Sequence, residues 1–378
     1  MAFSFTVTKK DSSSAARVGR LVTPHGEVET PAFMPVGTQA TVKAMSPRDL
    51  EEIGCQIVLG NTYHAYLRPG VDVIRDLGGL HGFMGWNKPI LTDSGGYQVF
   101  SLGALRKITE EGVRFQSHLD GSSHLLTPEK VVEIQQDLGS DIAMVLDECI
   151  PHPAEREYAR SSTLRTVRWA ERSLSARRKA DMALFGIVQG GMYEDLRLEC
   201  AREMTRLPFD GFAVGGLGVG EDEAMLHSIG ALTAAVLPED RPRYLMGVGR
   251  PEDLILAVRA GYDLFDCVLP TRNARNGTLF TSTGKLNIRR AEHTNDPRPA
   301  DEACDCYCCR HFSRAYLRHL HQAGEILAAH LLTLHNLAFY HWLMESVRKA
   351  LREDRFRNWD SEFKSGIQNG EGGGTPAC

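Results

Sequence analysis

Eight short apolar segments recur along the chain at helix-sized intervals, and this rhythm constrains the fold more than any other feature of the sequence. The segments are continuously apolar, which is the pattern of parallel strands that are covered on the outside and packed within. The predicted strands are Ala32–Val36, Gln56–Gly60, Pro89–Thr92, Ile142–Leu146, Leu184–Val188, Gly211–Val214, Arg243–Met246 and Asp263–Phe265. Eight parallel strands are the number that a closed barrel needs.

Helix signals stand between these segments, at 46–54, 127–139 and 251–261. Each of the three stretches has a proline at its first helical position and a glycine at its end, which is how helices commonly begin and stop. Alternation of strands and helices with short links is typical of βα units. The sequence therefore predicts an α/β protein built as a (β/α)8 TIM barrel.

Two regions interrupt the alternation. Residues 93–125 form a long connection rich in glycine and serine, which favours a functional loop. Residues 268–320 contain nine Lys/Arg and five Asp/Glu, a local charge of +4, although the whole chain has a formal net charge of −5. A nucleic-acid partner would therefore have to bind through a local basic surface.

The chain length of 378 residues fits one barrel domain with an insertion, and its 42% hydrophobic and 24% charged residues exclude disordered and fibrous proteins. The first residues show no basic segment followed by a long apolar run, and no stretch reaches the ~18 apolar residues of a membrane span. We expect a single cytoplasmic TIM-barrel domain over 1–378, outside the membrane, with a disordered glycine-rich tail over 366–378.

The carboxyl ends of the strands are where barrel enzymes place their active sites. The polar residues and glycines that follow the predicted strands are Asn61, Asp93, Asp147, Gln189, Gly215–Gly216, Gly247 and Asp266. A single aspartate at such a position can also cap the following helix, but three in equivalent places favour a shared function. Three carboxylates suit chemistry with a nucleophile, a proton-transferring group and a group that binds a polar ligand edge.

Four of the nine cysteines fall within residues 304–309, which indicates a metal site rather than disulfides. The candidate ligands are Cys304, Cys306, Cys309 and His335. Three thiolates and one imidazole would close a tetrahedral, structural zinc site. Cys308 and His311 are alternative ligands, and buried thiols without metal are the other interpretation. We expect an inserted zinc-binding subdomain over 268–345, near the C-terminus.

Two further features are less specific. His319-Leu320-His321 has the His-x-His spacing of metal-dependent barrel hydrolases, but it follows the cysteine cluster in a predicted helix and is interpreted as surface histidine. Tyr97 and Met246 lie beside candidate site residues, where they could sandwich a flat base or simply pack in the core.

Five segments together resemble the tRNA-guanine transglycosylases. They are Thr92–Ser101, Leu146–Cys149, Gly186–Gly191, Gly215–Leu217 and Phe265–Arg272. The segments occur in the family's order, the cysteine pattern is similar to the family's zinc site, and the match extends from about Phe33 to His335. Ordered agreement over nearly the whole chain is far more specific than any single motif.

The resemblance implies a role for each matching residue. Asp266 would be the nucleophile that attacks the ribose C1′ and forms a covalent intermediate, and Asp93 would be the general acid/base at the departing and incoming base. The implied base-binding residues are Asp147, Gln189, Gly216 and Leu217 through hydrogen bonds, and Tyr97 and Met246 through stacking. Arg272 and Arg275 would hold the RNA around the anticodon. One structural zinc ion per chain would be bound by Cys304, Cys306, Cys309 and His335.

The implied reaction exchanges the wobble guanine of tRNA for the queuosine precursor 7-aminomethyl-7-deazaguanine (preQ1). A carboxylate suits it, because the glycosidic bond breaks through an oxocarbenium-like state and two inversions retain the sugar configuration. The target base must leave the stack, and no phosphate-binding loop for ATP is present.

Cys149 and Val219 match the bacterial form of the family rather than the eukaryotic one, and Gly218 stands where the family pattern would have alanine. Too few residues follow His335 for the archaeal RNA-binding domain, and the resemblance implies a homodimer organised near the zinc region.

Two other functions fit parts of the pattern. A retaining glycoside hydrolase on the same barrel would use paired carboxylates and water, but it leaves the cysteine cluster and the local charge unexplained. A non-catalytic accessory subunit that binds RNA would lack a full set of aspartates, whereas Asp93, Asp147 and Asp266 are all present.

Overall fold

The first element of the structure is a three-stranded antiparallel sheet that the sequence analysis did not predict. In the computed structural model, which describes residues 3–101 and 106–370, the sheet consists of β1 (Ser4–Lys10), β2 (Arg17–Thr23) and β3 (Gly26–Thr30). Arg17 on β2 forms a buried ion pair with Asp263 at 2.6 Å between Nη2 and Oδ2. Because Asp263 precedes the last barrel strand, this pair places the sheet at the amino ends of the strands, away from the candidate site.

A closed parallel barrel follows, and all eight predicted strands are present. Its strands are β4 (Ala32–Met34), β5 (Val36–Gly37), β6 (Val58–Gly60), β7 (Ile90–Thr92), β11 (Ile142–Met144), β12 (Ala183–Val188), β13 (Gly211–Val214), β14 (Arg243–Leu245) and β15 (Leu264–Asp266). Nine segments fill eight positions because Pro35 divides the first strand: β4 pairs with β15, and β5 pairs with β6. All these pairings are parallel. Because the two halves of the first strand pair with the last and the second strands, the sheet closes on itself. Every residue of β12 is buried, which explains its continuous apolar sequence.

Helices connect the strands as the sequence predicted. In the barrel they are α1 (Pro47–Glu52), α2 (Thr62–Leu67), α3 (Val71–Asp76), α4 (Gly79–Met84), α5 (Gly96–Ser101), α6 (Pro128–Asp137), α7 (Arg156–Ala176), α8 (Glu194–Thr205), α9 (Glu223–Ala235), α10 (Pro251–Arg259) and α11 (Leu269–Arg275). The three predicted starts are confirmed: Ser46 and Asp49 form a capping box on α1, Thr127 caps α6, and Pro251 begins α10. None of the helices in the described ranges is long and apolar enough to cross a membrane.

The long connection predicted over 93–125 has structure of its own. It contains α5 and an antiparallel sheet of β8 (Arg106–Ile108), β9 (Val113–Gln116) and β10 (Ser123–Leu126). These strands are only three or four residues long, and β9 alternates buried and exposed residues. Such short alternating strands have no continuous apolar run, which is why the sequence pattern did not reveal them.

The C-terminal part combines a hairpin with four helices. Its elements are β16 (Thr278–Thr281), β17 (Gly284–Asn287), a 3-10 turn (Ala291–His293), α12 (Tyr307–His311), α13 (Arg314–Ala323), α14 (Ile326–Arg352) and α15 (Phe356–Gly370). Helix α14 carries His335, which lies with the cysteine cluster, and continues to the barrel, where Arg348 donates to the carbonyl of Pro31 at 2.7 Å. Helix α15 extends five residues into the segment 366–378 for which disorder was predicted, and 371–378 lie outside the described residues.

Candidate active site and metal cluster

A cavity of about 440 Å³ opens at the carboxyl ends of the barrel strands, where the sequence placed the candidate site. All the predicted catalytic and base-binding residues line it: Asp93, Tyr97, Asp147, Gln189, Gly216, Leu217, Met246 and Asp266. Arg272 also lines the cavity, whereas Arg275 does not. Parallel strands bring residues that are far apart in sequence to one edge, so the predicted set is assembled in one place.

Asp266 is the last residue of β15, and one of its two carboxylate oxygens accepts the hydrogen bonds that orient it. Its Oδ1 accepts hydrogen bonds from the Tyr244 hydroxyl at 2.6 Å and from the Gly247 N–H at 2.8 Å. Among the described residues, no group donates to Oδ2. Burial raises the pKa of Asp266, and the hydrogen bond from Tyr244 opposes this rise. The carboxylate is thus fixed in orientation while one oxygen keeps its lone pairs for a ligand.

Asp93 follows β7 and is anchored to the start of α2. Its Oδ2 accepts from Asn61 Nδ2 at 2.6 Å, and its Oδ1 accepts from the N–H groups of Thr62 and Gly95 at 3.0 and 3.1 Å. Burial raises the pKa of Asp93 to about 7, and the nearby charge of Asp266 contributes to the rise. A carboxyl group with this pKa can both accept and release a proton near neutral pH.

Asp147 and Gln189 form a hydrogen-bonded pair across the ends of two adjacent strands. Gln189 Nε2 donates to Asp147 Oδ2 at 2.7 Å, and the Ser94 hydroxyl is 3.4 Å from Asp147 Oδ1. Burial raises the pKa of Asp147 to about 6. Gln189 Oε1 is buried without a hydrogen-bond partner among the described residues. A buried orphan acceptor is costly unless a ligand or water satisfies it.

The loop after β13 passes very close to this pair. Gly216 has a φ of +65°, and a Cβ at this position would lie 2.4 Å from Gln189 Oε1. No side chain fits there in that conformation. Farther along, the carboxylate of Glu221 accepts hydrogen bonds from the N–H groups of Gly218 and Val219. Residues 215–219 of this loop all line the cavity, so the loop forms part of its wall.

Tyr97 and Met246 lie on the cavity lining, as predicted. Tyr97 is 58% exposed, so it is not a core residue. Met246 is half-buried, and its backbone N–H donates to the carbonyl of Val214 at 3.2 Å. Both side chains are therefore placed where they can contact a flat ligand in the cavity.

Two arginines on helix α11 were predicted to bind RNA. Arg272 is exposed and lines the cavity. Arg275 is half-buried, and its Nη1 donates to the carbonyl of Thr271 at 2.7 Å. Burial and the neighbouring charge of Arg272 lower the pKa of Arg275. Arg272 is consequently the better placed of the two to meet a phosphate group from solvent.

Sequence reasoning missed two side chains that complete the cavity. Tyr244 lies inside β14 and reaches Asp266 on the neighbouring strand. Gln98 lines the cavity beside Asp93, lowers the pKa of that carboxyl by hydrogen bonding, and has a buried Oε1 without a partner in the described part of the chain. Gln98 lies within the motif around Asp93 and could have been selected. Tyr244 gave no signal, because a tyrosine in a strand usually packs.

The predicted metal ligands come together beside helix α14. The ligand atoms of Cys304, Cys306, Cys309 and His335 all lie within 4.8 Å of one another. His335 Nδ1 is 3.2 Å from the sulfur of Cys309, while its Nε2 is 2.8 Å from the carbonyl of Phe280, which orients the ring. Hydrogen bonds from the neighbouring thiols lower the pKa of Cys306.

The alternative ligands do not belong to this cluster. Cys308 is fully buried in the core, and His311 is exposed and packs against Tyr307. Three thiols and one oriented imidazole fit the tetrahedral set of a structural zinc ion. The arrangement supports a metal site with the four ligands that were predicted.

Comparison with known proteins agrees with the geometry. The family model described as queuine tRNA-ribosyltransferase matches residues 11–369. A queuine tRNA-ribosyltransferase of Thermoanaerobacter sp. (strain X514) is 58% identical over 363 residues, which cover 96% of this chain and 97% of that protein. The one of Solidesulfovibrio magneticus is 58% identical over 368 residues, 97% of this chain and 99% of that protein. The one of Natranaerobius thermophilus is 55% identical over 370 residues, 98% of this chain and 100% of that protein.

These matches confirm the resemblance that the sequence motifs indicated. They extend over the barrel, the carboxylate cavity and the cysteine cluster together, not over one motif. The chain belongs to the queuine tRNA-ribosyltransferase family.

Proposed function

We propose that this protein is a tRNA-guanine transglycosylase that exchanges the wobble guanine of tRNA for preQ1 in queuosine biosynthesis. The observation that carries the proposal is the carboxylate of Asp266. It lines a cavity with two other aspartates, and one of its oxygens is not hydrogen-bonded to any described residue. Family membership supports the reaction class.

Asp266 is the nucleophile in this proposal. Its Oδ2 attacks the ribose C1′ of the flipped nucleotide, so an O–C1′ bond forms while the bond from C1′ to the guanine nitrogen breaks. The incoming base then attacks C1′ and releases the carboxylate. Two inversions retain the sugar configuration, and no external energy source is needed because one glycosidic bond replaces another.

Asp93 is the general acid/base. The departing guanine gains a proton, and the incoming base must lose one, so a single group can serve both steps. The pKa of about 7 that burial gives Asp93 suits this role, because the carboxyl can hold or release a proton at neutral pH. The N–H groups of Thr62 and Gly95 and the amide of Asn61 orient it.

We assign base recognition mainly to the cavity residues that follow β11, β12 and β13. Asp147 accepts hydrogen bonds from the base edge, Gln189 and the backbone of Gly216 and Leu217 complete the contacts, and Tyr97 and Met246 stack on its faces. Three features support this assignment: the buried carboxylate of Asp147, the unsatisfied Oε1 of Gln189 and the close approach of the glycine backbone. A planar base with several donors and acceptors would satisfy these groups together.

The choice of preQ1 rests on the cavity wall. Cys149 and Val219, the residues that match the bacterial form, both line the cavity. The eukaryotic form has valine and glycine at these two positions, so the side chain of Val219 occupies space that the glycine would leave for the bulkier queuine. The cavity is therefore suited to the smaller preQ1.

RNA binding is assigned to helix α11 and the basic region 268–320. Arg272 stands exposed at the cavity mouth, where the phosphates flanking a flipped nucleotide would lie, and Arg275 is one turn away. Such contacts position the RNA without reading its sequence.

The cysteine cluster would hold one zinc ion through Cys304, Cys306, Cys309 and His335. Zinc supplies a structural cross-link there, since four protein ligands leave no position for water. We also assign a cytoplasmic homodimer organised near this region. Exposed Tyr307 and Tyr316 beside the cluster, the latter stacked on Phe312 at 5.5 Å, support an interface there.

An exchange assay tests the proposal. The protein is incubated with unmodified tRNA and labelled guanine, then with labelled preQ1, and incorporation is measured. A glycoside hydrolase would release a base without incorporating one, and an accessory subunit would bind tRNA with no exchange. Asp266→Asn should abolish exchange and the covalent RNA adduct on denaturing gels while leaving tRNA binding largely intact. An adduct that persists in this variant would move the nucleophile elsewhere, with Asp93 the first candidate.

A further inference from the structure

A completely buried arginine lies against the two loops that carry Gln189 and Gly216. Arg197, in the first turn of α8, has a relative exposure of 0%. Within the described part of the chain, no ion pair includes it, and its hydrogen bonds go to backbone carbonyls. Burying a guanidinium without a carboxylate is costly, so its hydrogen bonds must supply the compensation.

The acceptors of Arg197 belong to two successive strand-end loops. Its Nε donates to Gly191 O at 2.8 Å, and its Nη1 donates to Val188 O at 3.1 Å, on either side of Gln189. On the next loop, Nη1 donates to Gly215 O at 2.7 Å and Nη2 to Gly216 O at 3.2 Å. One rigid, planar group thus joins the loop that carries Gln189 to the loop that carries Gly216.

These bonds also decide where the opposite sides of the peptide groups point. In a trans peptide, the C=O and the following N–H point in opposite directions. Since the carbonyls of Gly215 and Gly216 face Arg197, the N–H groups of Gly216 and Leu217 face away from it. Neither N–H donates a hydrogen bond to any described residue, and all three residues line the cavity.

We infer that Arg197 is a positioning residue: it holds the peptide groups after β13 so that two N–H donors face the base, and it thereby sets the affinity for the base. The inference rests on the proposed base exchange and adds to it a residue that contacts neither the base nor the RNA. Gly190 fits the same arrangement, because a Cβ there would lie 2.6 Å from the backbone nitrogen of Arg197. The helix must approach the loop this closely for the guanidinium to reach its acceptors.

The test compares Arg197→Met and Arg197→Lys with the native protein. Methionine keeps much of the volume but donates nothing, and lysine keeps the charge but cannot serve four carbonyls. We expect the KM for guanine to rise about 10-fold or more in Arg197→Met and less in Arg197→Lys, as expected from losing one or two hydrogen bonds to the base. The kcat at saturating base and the Kd for tRNA should change by less than about 3-fold.

Arg243→Met is the matched control. Arg243 is also buried and donates to carbonyls, those of Leu237 and Pro238, but it lies at the amino end of β14. We expect the Arg243→Met variant to be less stable than the native protein but to keep the native KM for guanine.

Amide hydrogen exchange supplies a readout that does not depend on catalysis. The peptide 211–219 should exchange faster in Arg197→Met than in the native protein, and its exchange rate should be unchanged in Arg243→Met.

Three results separate the possibilities. If the native protein does not exchange guanine, the proposed function fails, whereas the hydrogen-exchange result still judges Arg197. If Arg197→Met keeps the native KM and the native exchange of 211–219, the inference is wrong. Equal effects of the Arg197 and Arg243 variants on KM would also overturn it, because the role would then be general stability. Should Arg197→Met not fold, the KM and exchange of Arg197→Lys decide.

Discussion

The hydroxyl of Tyr244 donates to Oδ1 of Asp266 at 2.6 Å, from one barrel strand to the next. Tyr244 is itself buried, and burial raises its pKa well above the ordinary value, so it stays a neutral donor at every pH of interest. Together with the N–H of Gly247, it stabilises the ionised carboxylate and leaves Oδ2 free for the proposed attack on the ribose. A buried acid needs such donors, because burial alone favours its protonated form.

Tyr244→Phe removes this donor with little change in shape. The pKa of Asp266 should rise further, so the fraction ionised at a given pH falls. We expect kcat to fall about 10- to 100-fold, as is usual for a hydrogen bond to a charged group, and the acid limb of the pH–kcat profile to move to higher pH. Tyr262→Phe, which loses a buried hydroxyl bonded to Gly230 O, is the control and should leave the profile in place. An unshifted acid limb in Tyr244→Phe would contradict this role.

Asp147→Asn should make the protein more stable and less active. The pKa of Asp147 is about 6 in the folded chain against an ordinary 3.8, so the folded state binds this proton more tightly. Stability is therefore lost as pH rises through this range, and the amide variant escapes the loss. Gln189 can turn its unpaired Oε1 toward the new N–H, which preserves the pair.

Urea denaturation measures this effect. The variant should be more stable than the native protein by about 1–3 kcal/mol at pH 8, with a smaller difference near pH 4. Its KM for base should rise while tRNA affinity is nearly unchanged. Asp120→Asn is a control of opposite sign, because hydrogen bonds from Ser122 lower the pKa of Asp120 to about 2. A native-like pH dependence in Asp147→Asn would refute the argument.

The two arginines of α11 should contribute unequally to RNA binding. Arg272→Ala should weaken tRNA binding about 3- to 10-fold and reduce its salt dependence, because each phosphate contact releases counterions. Arg275→Ala should do less, since that side chain is half-buried and bonded to Thr271. Gel shifts at several salt concentrations measure both, with the exposed Arg241→Ala at the far end of the barrel as control. The assignment fails if Arg272→Ala and Arg241→Ala bind tRNA alike.

The cysteine cluster predicts about one zinc ion per chain. Cys306→Ser should lose the metal and lower the melting temperature, because ligand loss removes binding energy that stabilises the fold. Cys308→Ala is the matched control: it alters a neighbouring thiol that lies in the core outside the cluster, so zinc content should stay at one. Elemental analysis and thermal denaturation measure both, and full zinc in Cys306→Ser would remove the site.

Much of the fold and the site could be read from the chain because their signals are local. The apolar run of β12 reflects burial on both faces, and a residue that follows such a run, as Asp266 follows Phe265, must lie at the strand end. The spacing of Cys304, Cys306 and Cys309 likewise reflects what one metal ion can reach. By contrast, the N-terminal sheet was missed because β1 alternates exposed and half-buried residues and has no apolar run.

Only the tertiary structure decided which side chains contact each other across the barrel when they are far apart in sequence. Tyr244 and Asp266 meet because two strands pair, and Arg197 reaches Gly215 and Gly216 because α8 packs against the end of another strand. Arg272 and Arg275 look alike in sequence, yet one is exposed and the other is partly buried against its own helix. The sequence by itself determined the strands, the three aspartates and the cysteine cluster, since burial produces apolar runs and the aspartates and cysteines are recognised by their positions along the chain. Hydrogen bonds between distant residues have no such signal in the sequence, because their partners are set by packing rather than by position along the chain.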